Sequence, residues 1–233
     1  MITDIQTNKL FLADCLPKKQ TKFFHRFEKV LNDCNINYQF LPNTKDIWAV
    51  DFMPVQVSKD KFVQFTYDPD YLQPKKYQKT ISDVDSICKA INLTTTKSKL
   101  IIDGGNVSKT ADKVIMCDKV FHENKHLSER DLIKQLKELF QVDKLFFVPW
   151  DINDFTGHAD GMVRFIDNDT VLINDYSKEN AEPENYYSSR HSTMSTSESK
   201  FSGFLSRFFK FWDWVKHRYI WIAAIIQVGA CVL

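Results

Sequence analysis

Apolar positions recur every three or four residues in three stretches of the chain, and this spacing predicts three amphipathic helices. In the first stretch, Phe24, Phe27 and Leu31 fall on one face. Ser82 stands at the start of the second as a candidate N-cap, and Ser128 opens the third with a Ser-Glu-Arg-Asp sequence that resembles a capping box. The predicted helices cover 22–31, 82–91 and a segment that begins at 128.

Between and after these helices lie short runs of β-branched, aromatic and other apolar residues, a composition typical of strands. Asp167, Asn168 and Asp169 separate the last two runs and predict a hairpin turn, because Asn and Asp tolerate a positive φ. Strands and helices alternate along the chain, so the pattern predicts an α/β fold. The predicted strands are 62–65, 100–102, 113–116, 145–148, 162–166 and 171–173.

The positions of acidic residues relative to the strands repeat along the chain. A shift of 52 residues takes Asp51 to Asp103, and a shift of 57 takes Asp103 to Asp160; each aspartate precedes a strand by about ten residues. A period of roughly 50 residues made of strands and a helix is typical of a propeller or solenoid of α/β units. In a closed ring, equivalent loops converge on the axis, so we expect these three carboxylates to face one central pocket.

Composition and charge exclude several classes of function. The 31 basic residues against 30 acidic ones leave a net charge of +1, so no overall basic surface for nucleic acid is expected. Neither GxGxxG nor GxxxxGK[ST] occurs, which argues against a nicotinamide or phosphate-binding loop. Five cysteines form no CxxC pair, and the N-terminus has no signal-peptide pattern, so we expect a cytoplasmic protein without a disulfide scaffold. Small buried core positions best explain the cysteines at 15, 34, 88 and 117.

Carboxylates that share a pocket repel one another unless a cation neutralises them. Hard metal ions take oxygen ligands from closely spaced loops, whereas these aspartates lie 52 and 57 residues apart, near Trp48 and Phe52. This setting favours a planar guanidinium, which carboxylates bind through paired hydrogen bonds and an indole can stack on. We therefore expect an organic cation, with neither metal nor cofactor; the alternative is that the aspartates only cap turns.

His158 adds acid–base chemistry to this acidic set. In Gly-His-Ala-Asp, the imidazole precedes Asp160 by two residues, at the entry to a predicted strand. Histidine is the usual general acid or base near neutral pH, and a neighbouring carboxylate tunes its pKa. The alternative is a structural or solvated loop histidine, which is how we interpret the other five, at 25, 122, 126, 191 and 217.

Three motifs resemble those of the bacterial agmatine deiminase and peptidylarginine deiminase family. They are Asp46-Ile-Trp-Ala-Val-Asp-Phe-Met-Pro54, Asp103-Gly-Gly-Asn106 and Gly157-His-Ala-Asp-Gly161, in the family's order and spacing. The resemblance implies the pentein fold, a five-bladed α/β propeller of ββαβ units, and it covers about three blades over residues 1–181. It also implies hydrolysis of a guanidine to a ureido group and ammonia, in putrescine biosynthesis or arginine catabolism.

Carried over by motif, the resemblance implies specific roles. His158 is the expected general acid or base, and Asp51, Asp103 and Asp160 are the expected guanidinium ligands, with Asp103 and Asp160 also counted among the catalytic groups. Trp48 would line the pocket, while Gly104 and Gly105 would permit a close backbone approach. Two departures stand out: Val50 replaces an arginine common in the family, and Asp103 replaces a glutamate common in agmatine deiminases.

The family's catalytic cysteine belongs to a Gly-rich segment near the end of a longer chain, and that segment has no counterpart here. Cys231 follows Gly229 and Ala230, which superficially fits a terminal nucleophile. Its neighbours are uniformly apolar, and apolar burial makes a thiol inert, so the sequence argues against that role. We expect an impaired deiminase of agmatine or peptidyl arginine; the alternative is a remnant that only binds a guanidinium.

Residues 182–233 form a second region without the family's motifs. Nine of the 21 residues in 201–221 are aromatic, and their helical spacing suits a membrane-surface helix or a groove-binding helix. Residues 220–233 are mostly apolar but too few to span a bilayer as a helix. We favour a third interpretation, translation in a shifted frame. An incomplete ring exposes strand edges, so we also expect self-association.

Overall fold

The computed structural model describes residues 1–151, 154–174 and 231–232. The chain divides into two units, Met1–Ile173 with Gln227–Leu233, and Asn174–Ile226; every element below belongs to the first. The α-helices are α1 (Leu16–Lys19), α2 (Thr21–Asp33), α3 (Ala49–Phe52), α4 (Lys75–Gln78), α5 (Val84–Ala90), α6 (Lys119–Glu123) and α7 (Glu129–Phe140). The strands are β1 (Leu10–Ala13), β2 (Tyr38–Leu41), β3 (Val55–Ser58), β4 (Lys61–Thr66), β5 (Thr96–Ile101), β6 (Ser108–Lys109), β7 (Lys113–Cys117), β8 (Lys144–Val148), β9 (Val163–Phe165), β10 (Val171–Ile173) and β11 (Cys231–Val232).

Two stretches of the chain have the same ββαβ topology. In one, β3 and β4 pair antiparallel, and α5 crosses over to bring β5 parallel to β4. In the other, β6 and β7 pair antiparallel, and β8 returns parallel to β7 after α7. A parallel pair needs such a crossover, usually a helix. The predicted repeat of strands and helices is therefore confirmed for these two units.

The remaining described strands form parts of similar arrangements. β1 and β2 pair parallel across α2, and β11 pairs antiparallel with the free edge of β1, placing Cys231 opposite Phe11. β9 and β10 form the predicted hairpin around 167–169. The mixed α/β architecture of the prediction is confirmed. Of the predicted tail, residues 175–230 and 233 lie outside the described residues; at 231–232 the backbone is a strand, so the helical interpretation is wrong there.

All three predicted helices are present, with small shifts in their ends. At the start of α5, Asp83 rather than Ser82 is the N-cap: its side chain accepts a hydrogen bond from the Ser86 amide, while the Ser82 hydroxyl accepts one from the Lys45 amide. At the start of α7 the Ser128 side chain accepts from the Asp131 amide, as predicted. Among the described residues, no helix has the length and apolar character needed to cross a bilayer.

The main core lies between the two ββαβ units and α7. Val63, Val114 and Met116 from the strands and Leu136 and Phe140 from α7 are fully buried there. Burial at this scale is worth about 1.5–3 kcal/mol for each large apolar side chain.

The cysteine prediction holds only in part. Cys88 and Cys117 are buried, Cys15 is half-buried, and Cys34 is exposed. The interpretation of Cys34 as a core residue is therefore wrong, because it stands at the C-cap of α2, just beyond the apolar stripe.

Candidate active site

The site is built from turns that follow or precede strands. Asp103 is the N-cap of a single 3-10 turn, Gly104–Asn106, with φ −87° and ψ 136°. His158 is the N-cap of the turn Ala159–Gly161, with φ −89° and ψ 137°. The repeat therefore superposes Asp103 on His158, and the predicted equivalence of Asp103 with Asp160 is wrong by two residues. The difference arises because the hairpin at 167–169 lengthens the connection between the strands.

The Asn106 side chain joins the two turns. Its Oδ1 accepts hydrogen bonds from the Cys117 amide at 2.6 Å and from the Ala159 amide at 3.3 Å. Asn106 is 3 % exposed, so these bonds form away from water, where an unmade one would be costly. The amide of Asn106 therefore fixes the distance between the turn that carries Asp103 and the turn that carries His158.

The imidazole of His158 lies between two carboxylates. Its Nε2 is 2.8 Å from Oδ2 of Asp103, and its Nδ1 is 3.7 Å from Oδ1 of Asp51, which α3 contributes. His158, Asp103 and Asp51 are 7 %, 2 % and 8 % exposed. The structure thus brings these three predicted residues together in a buried cluster.

Gly104 and Gly105 allow the close approach that the family resemblance implies, so that expectation is confirmed. A Cβ on Gly104 would lie 1.9 Å from the backbone oxygen of Val50. A Cβ on Gly105 would lie 2.5 Å from Nδ1 of His158 and 2.6 Å from Oδ1 of Asp51. Any side chain at these positions would therefore displace the cluster or the helix that carries Asp51.

The cluster shifts the ionisation of its own members. Burial raises the pKa of Asp51 to about 7; the charge of His158 opposes this shift, and Asp103 and Asp160 add to it. Burial alone would lower the pKa of His158, but the hydrogen bond with Asp103 and the charges of the nearby aspartates raise it to about 9. At neutral pH the imidazole is therefore charged, and Asp51 is poised to gain or lose a proton.

The other predicted site residues stand in different surroundings. Asp160 forms an ion pair with Arg164 at 3.2 Å, and burial raises its pKa. Trp48 precedes α3 and is 42 % exposed, so its predicted role as a pocket wall stays a prediction. Cys231 lies in β11, and its side chain is outside the described part of the structure.

Two residues near the cluster were not predicted from the sequence. The Tyr71 hydroxyl donates to Oδ2 of Asp103 at 3.0 Å. The Lys119 ammonium pairs with Asp70 at 2.9 Å and donates to the backbone oxygen of Thr156 at 2.7 Å, two residues before His158. The only sequence signal for Tyr71 is its place in a loop with Pro69 and Asp70 after a strand. Lys119 gives no signal, because a single lysine in a helix is usually exposed.

One polar atom of the site has no partner within the described ranges. Oδ1 of Asp103 is buried and accepts no hydrogen bond from the residues that the structure describes. In the same ranges no group of three or more His, Cys, Asp or Glu side chains is arranged to hold a metal ion. A buried carboxylate oxygen in this state is suited to a donor that arrives with a ligand.

Comparison with known proteins follows from this geometry. A family model described as Porphyromonas-type peptidyl-arginine deiminase matches residues 6–202. Those matched residues extend past 181, and the division predicted at that point stays a prediction. No curated protein shows significant sequence similarity to the chain.

Among solved structures, the agmatine deiminase of C. jejuni is similar, with 19 % identity, a TM-score of 0.61, and coverage of 78 % of this chain and 67 % of that one. The same enzyme with substrate bound gives 20 % identity, a TM-score of 0.58 and the same coverage. The agmatine deiminase of Enterococcus faecalis gives 16 % identity, a TM-score of 0.60, and coverage of 82 % and 65 %. These likenesses establish the fold, and the chain spans about two thirds of the length of these structures.

Proposed function

The chain belongs to the Porphyromonas-type peptidyl-arginine deiminase family, and from this premise we propose that its buried acidic cluster binds the guanidinium group of agmatine or of a peptidyl arginine. The reaction proposed for the site is hydrolysis of that group to a ureido group and ammonia. The pathways proposed for this product are putrescine biosynthesis or arginine catabolism.

The observation that carries the proposal is the unpartnered Oδ1 of Asp103 beside His158 and Asp51. A guanidinium presents N–H donors in a flat fork, which matches the oxygen atoms of carboxylates better than an ammonium does. Its positive charge would favour the ionised form of Asp51, whose pKa of about 7 leaves it partly protonated in the free protein.

His158 would transfer protons in both halves of the reaction. A thiolate adds to the guanidinium carbon, a C–S bond forms, and a C–N bond then breaks as His158 protonates the departing nitrogen, which leaves as ammonia. The imidazole next takes a proton from water as the water oxygen attacks the same carbon. The C–S bond breaks, which releases the ureido product and restores the thiolate. With a pKa of about 9, His158 begins this cycle as the acid.

The source of the thiolate decides whether the reaction completes. Burial raises the pKa of Cys88 to about 11 and that of Cys117 to about 12, so neither is an effective nucleophile. Cys231 lies in β11, whose backbone runs beside β1 and α3, the helix of Asp51. Its apolar sequence neighbours disfavour a thiolate, so the second candidate function is guanidinium binding without turnover.

The test measures binding and turnover separately on the full chain. Calorimetry gives the affinity for agmatine, and assays for ammonia and N-carbamoylputrescine give turnover. C-terminal arginyl peptides are assayed in the same way. The variants are Cys231→Ala and Cys34→Ala, the second being a control because Cys34 is exposed at the end of α2.

Turnover that is lost in Cys231→Ala and retained in Cys34→Ala would establish a deiminase with Cys231 as nucleophile. Binding without turnover would leave the guanidinium-binding remnant as the function. A folded chain that neither binds nor hydrolyses agmatine or arginyl peptides would reject the proposed function.

A further inference from the structure

The Asp103 carboxylate is held on one side only. Its Oδ2 accepts from Nε2 of His158 at 2.8 Å and from the Tyr71 hydroxyl at 3.0 Å, while Oδ1 is buried and without a donor among the described residues. One donor on Oδ2 would leave the group free to turn about its Cβ–Cγ bond. Two donors that approach the same oxygen from different residues fix the plane of the carboxylate and the direction in which Oδ1 points.

The surroundings of Tyr71 fix its hydroxyl in turn. Its ring packs edge-on against the His158 ring, with centroids 6.1 Å apart, and against Phe155 at 5.6 Å. The ammonium of Lys119 lies 4.9 Å from the centroid of the same ring. Burial, followed by the charge of Asp103, raises the pKa of Tyr71, so the hydroxyl stays protonated and remains a donor.

We propose that Tyr71 is a positioning residue, whose hydroxyl holds the Asp103 carboxylate so that one oxygen faces His158 and the other is presented to an incoming guanidinium. This inference rests on the proposed function for the identity of the ligand. The holding of Asp103 against His158 does not depend on that identity. Tyr71 acts through Asp103 and takes no part in bond making or breaking.

The test removes only the hydroxyl. In Tyr71→Phe the ring keeps its contacts with His158 and Phe155. The control is Tyr38→Phe, which removes a hydroxyl that donates to the Glu28 carboxylate at 2.6 Å, a residue pair in α2 and β2 outside the cluster. Both variants and the wild type are labelled with ¹⁵N-histidine, the His158 signals are assigned with His158→Gln, and the imidazole is titrated by NMR.

The titration midpoint of His158 is the main readout, because it does not require a ligand or activity. Without the hydroxyl, Oδ2 of Asp103 spends part of its time turned away from Nε2, while the burial of the imidazole is unchanged. The midpoint should therefore fall by about one pH unit in Tyr71→Phe and stay at the wild-type value in Tyr38→Phe. The other acids that face His158, which are Asp51, Asp154 and Asp160, are the same in all three proteins.

Agmatine binding is the second readout. Losing a hydrogen bond to a charged group should weaken the affinity about tenfold in Tyr71→Phe, with no change in Tyr38→Phe. A Tyr71→Phe protein with the wild-type midpoint and affinity would overturn the proposal, including where its melting temperature is lower, since that pattern shows a purely structural side chain. Should the wild type not bind agmatine, the proposed function fails, and the titration midpoint still decides the role of Tyr71.

Discussion

His158 and Asp103 are 55 residues apart in sequence, yet Nε2 of the imidazole lies 2.8 Å from Oδ2 of the carboxylate. Each residue caps a single 3-10 turn of the same backbone geometry, and the Asn106 side chain ties the two turns together. The pairing is therefore a product of two equivalent turns that face each other. Because the pair is buried, its proton is held by the folded protein more tightly than by an unfolded chain.

Stability should decrease as pH rises through the titration of His158. The folded pKa of about 9 exceeds the ordinary value of 6.5, so the stabilisation is complete below about pH 6.5 and is lost as pH rises to 9. The free energy of unfolding in urea should fall by about 2–3 kcal/mol over this interval. In His158→Gln the fall should be much smaller, whereas the exposed His122→Gln should behave as the wild type. Equal slopes in all three proteins would contradict this assignment of the proton.

The sequence predicts the strands and helices of the ββαβ units, because their apolar periods are long enough to read. It misses β1, β2 and β3, each of four residues, since such short apolar runs do not distinguish a strand from a loop. It also misplaces the repeat by two residues between Asp103 and His158. Short 3-10 turns have no apolar period, so no pattern marks where they begin.

The motifs identify His158, Asp51 and Asp103, because their residue types and order carry the chemistry. Tyr71 and Lys119 could not be found in this way. Their importance depends on the distance from Tyr71 to Asp103 and from Lys119 to Thr156, and both distances arise only from packing between units.

Asp51 should make the affinity for agmatine depend on pH. Its pKa is raised to about 7, and only the ionised form attracts a guanidinium. Calorimetry should therefore show binding about tenfold tighter at pH 8 than at pH 6, with release of a proton to the buffer. Asp51→Asn should bind more weakly and with little pH dependence. The control Asp85→Asn changes an exposed carboxylate paired with Lys97 and should retain the wild-type slope; a slope that survives in Asp51→Asn would exclude Asp51 as the titrating group.

Gly105 should not tolerate even one methyl group. In Gly105→Ala the new carbon would lie 2.5 Å from Nδ1 of His158 and 2.6 Å from Oδ1 of Asp51. Overpacking of this kind should lower the free energy of unfolding by about 2 kcal/mol and weaken agmatine binding at least about tenfold. The matched control is Gly161→Ala, since no atom lies within 4 Å of its added carbon, and its stability should stay within about 0.5 kcal/mol of the wild type. Similar losses in both variants would mean that the cluster does not depend on the close approach at Gly105.

Lys119 should stabilise the loop before His158 through a buried ion pair. It is 4 % exposed, and its ammonium lies 2.9 Å from Asp70 and 3.4 Å from Glu123. Burial alone would lower the pKa of Lys119, but these carboxylates raise it above the ordinary value. Lys119→Met would strand the buried Glu123 carboxylate and remove the bond to the Thr156 oxygen. The expected loss in the free energy of unfolding is about 3–5 kcal/mol, with faster hydrogen exchange at residues 156–158.

Two comparisons separate this effect from ordinary surface charge. Lys134→Met breaks an exposed pair with Glu138 at 4.0 Å and should cost at most about 0.5 kcal/mol. Adding Glu123→Gln to Lys119→Met should recover part of the loss, because no unpaired carboxylate then remains buried. Burial raises the pKa of Glu123 to about 7, and Lys119 opposes that shift. Without the lysine the carboxyl protonates more readily, so the loss should be larger at pH 8 than at pH 6. A loss that is the same at both pH values, and that Glu123→Gln does not reduce, would place the role of Lys119 in packing rather than in charge.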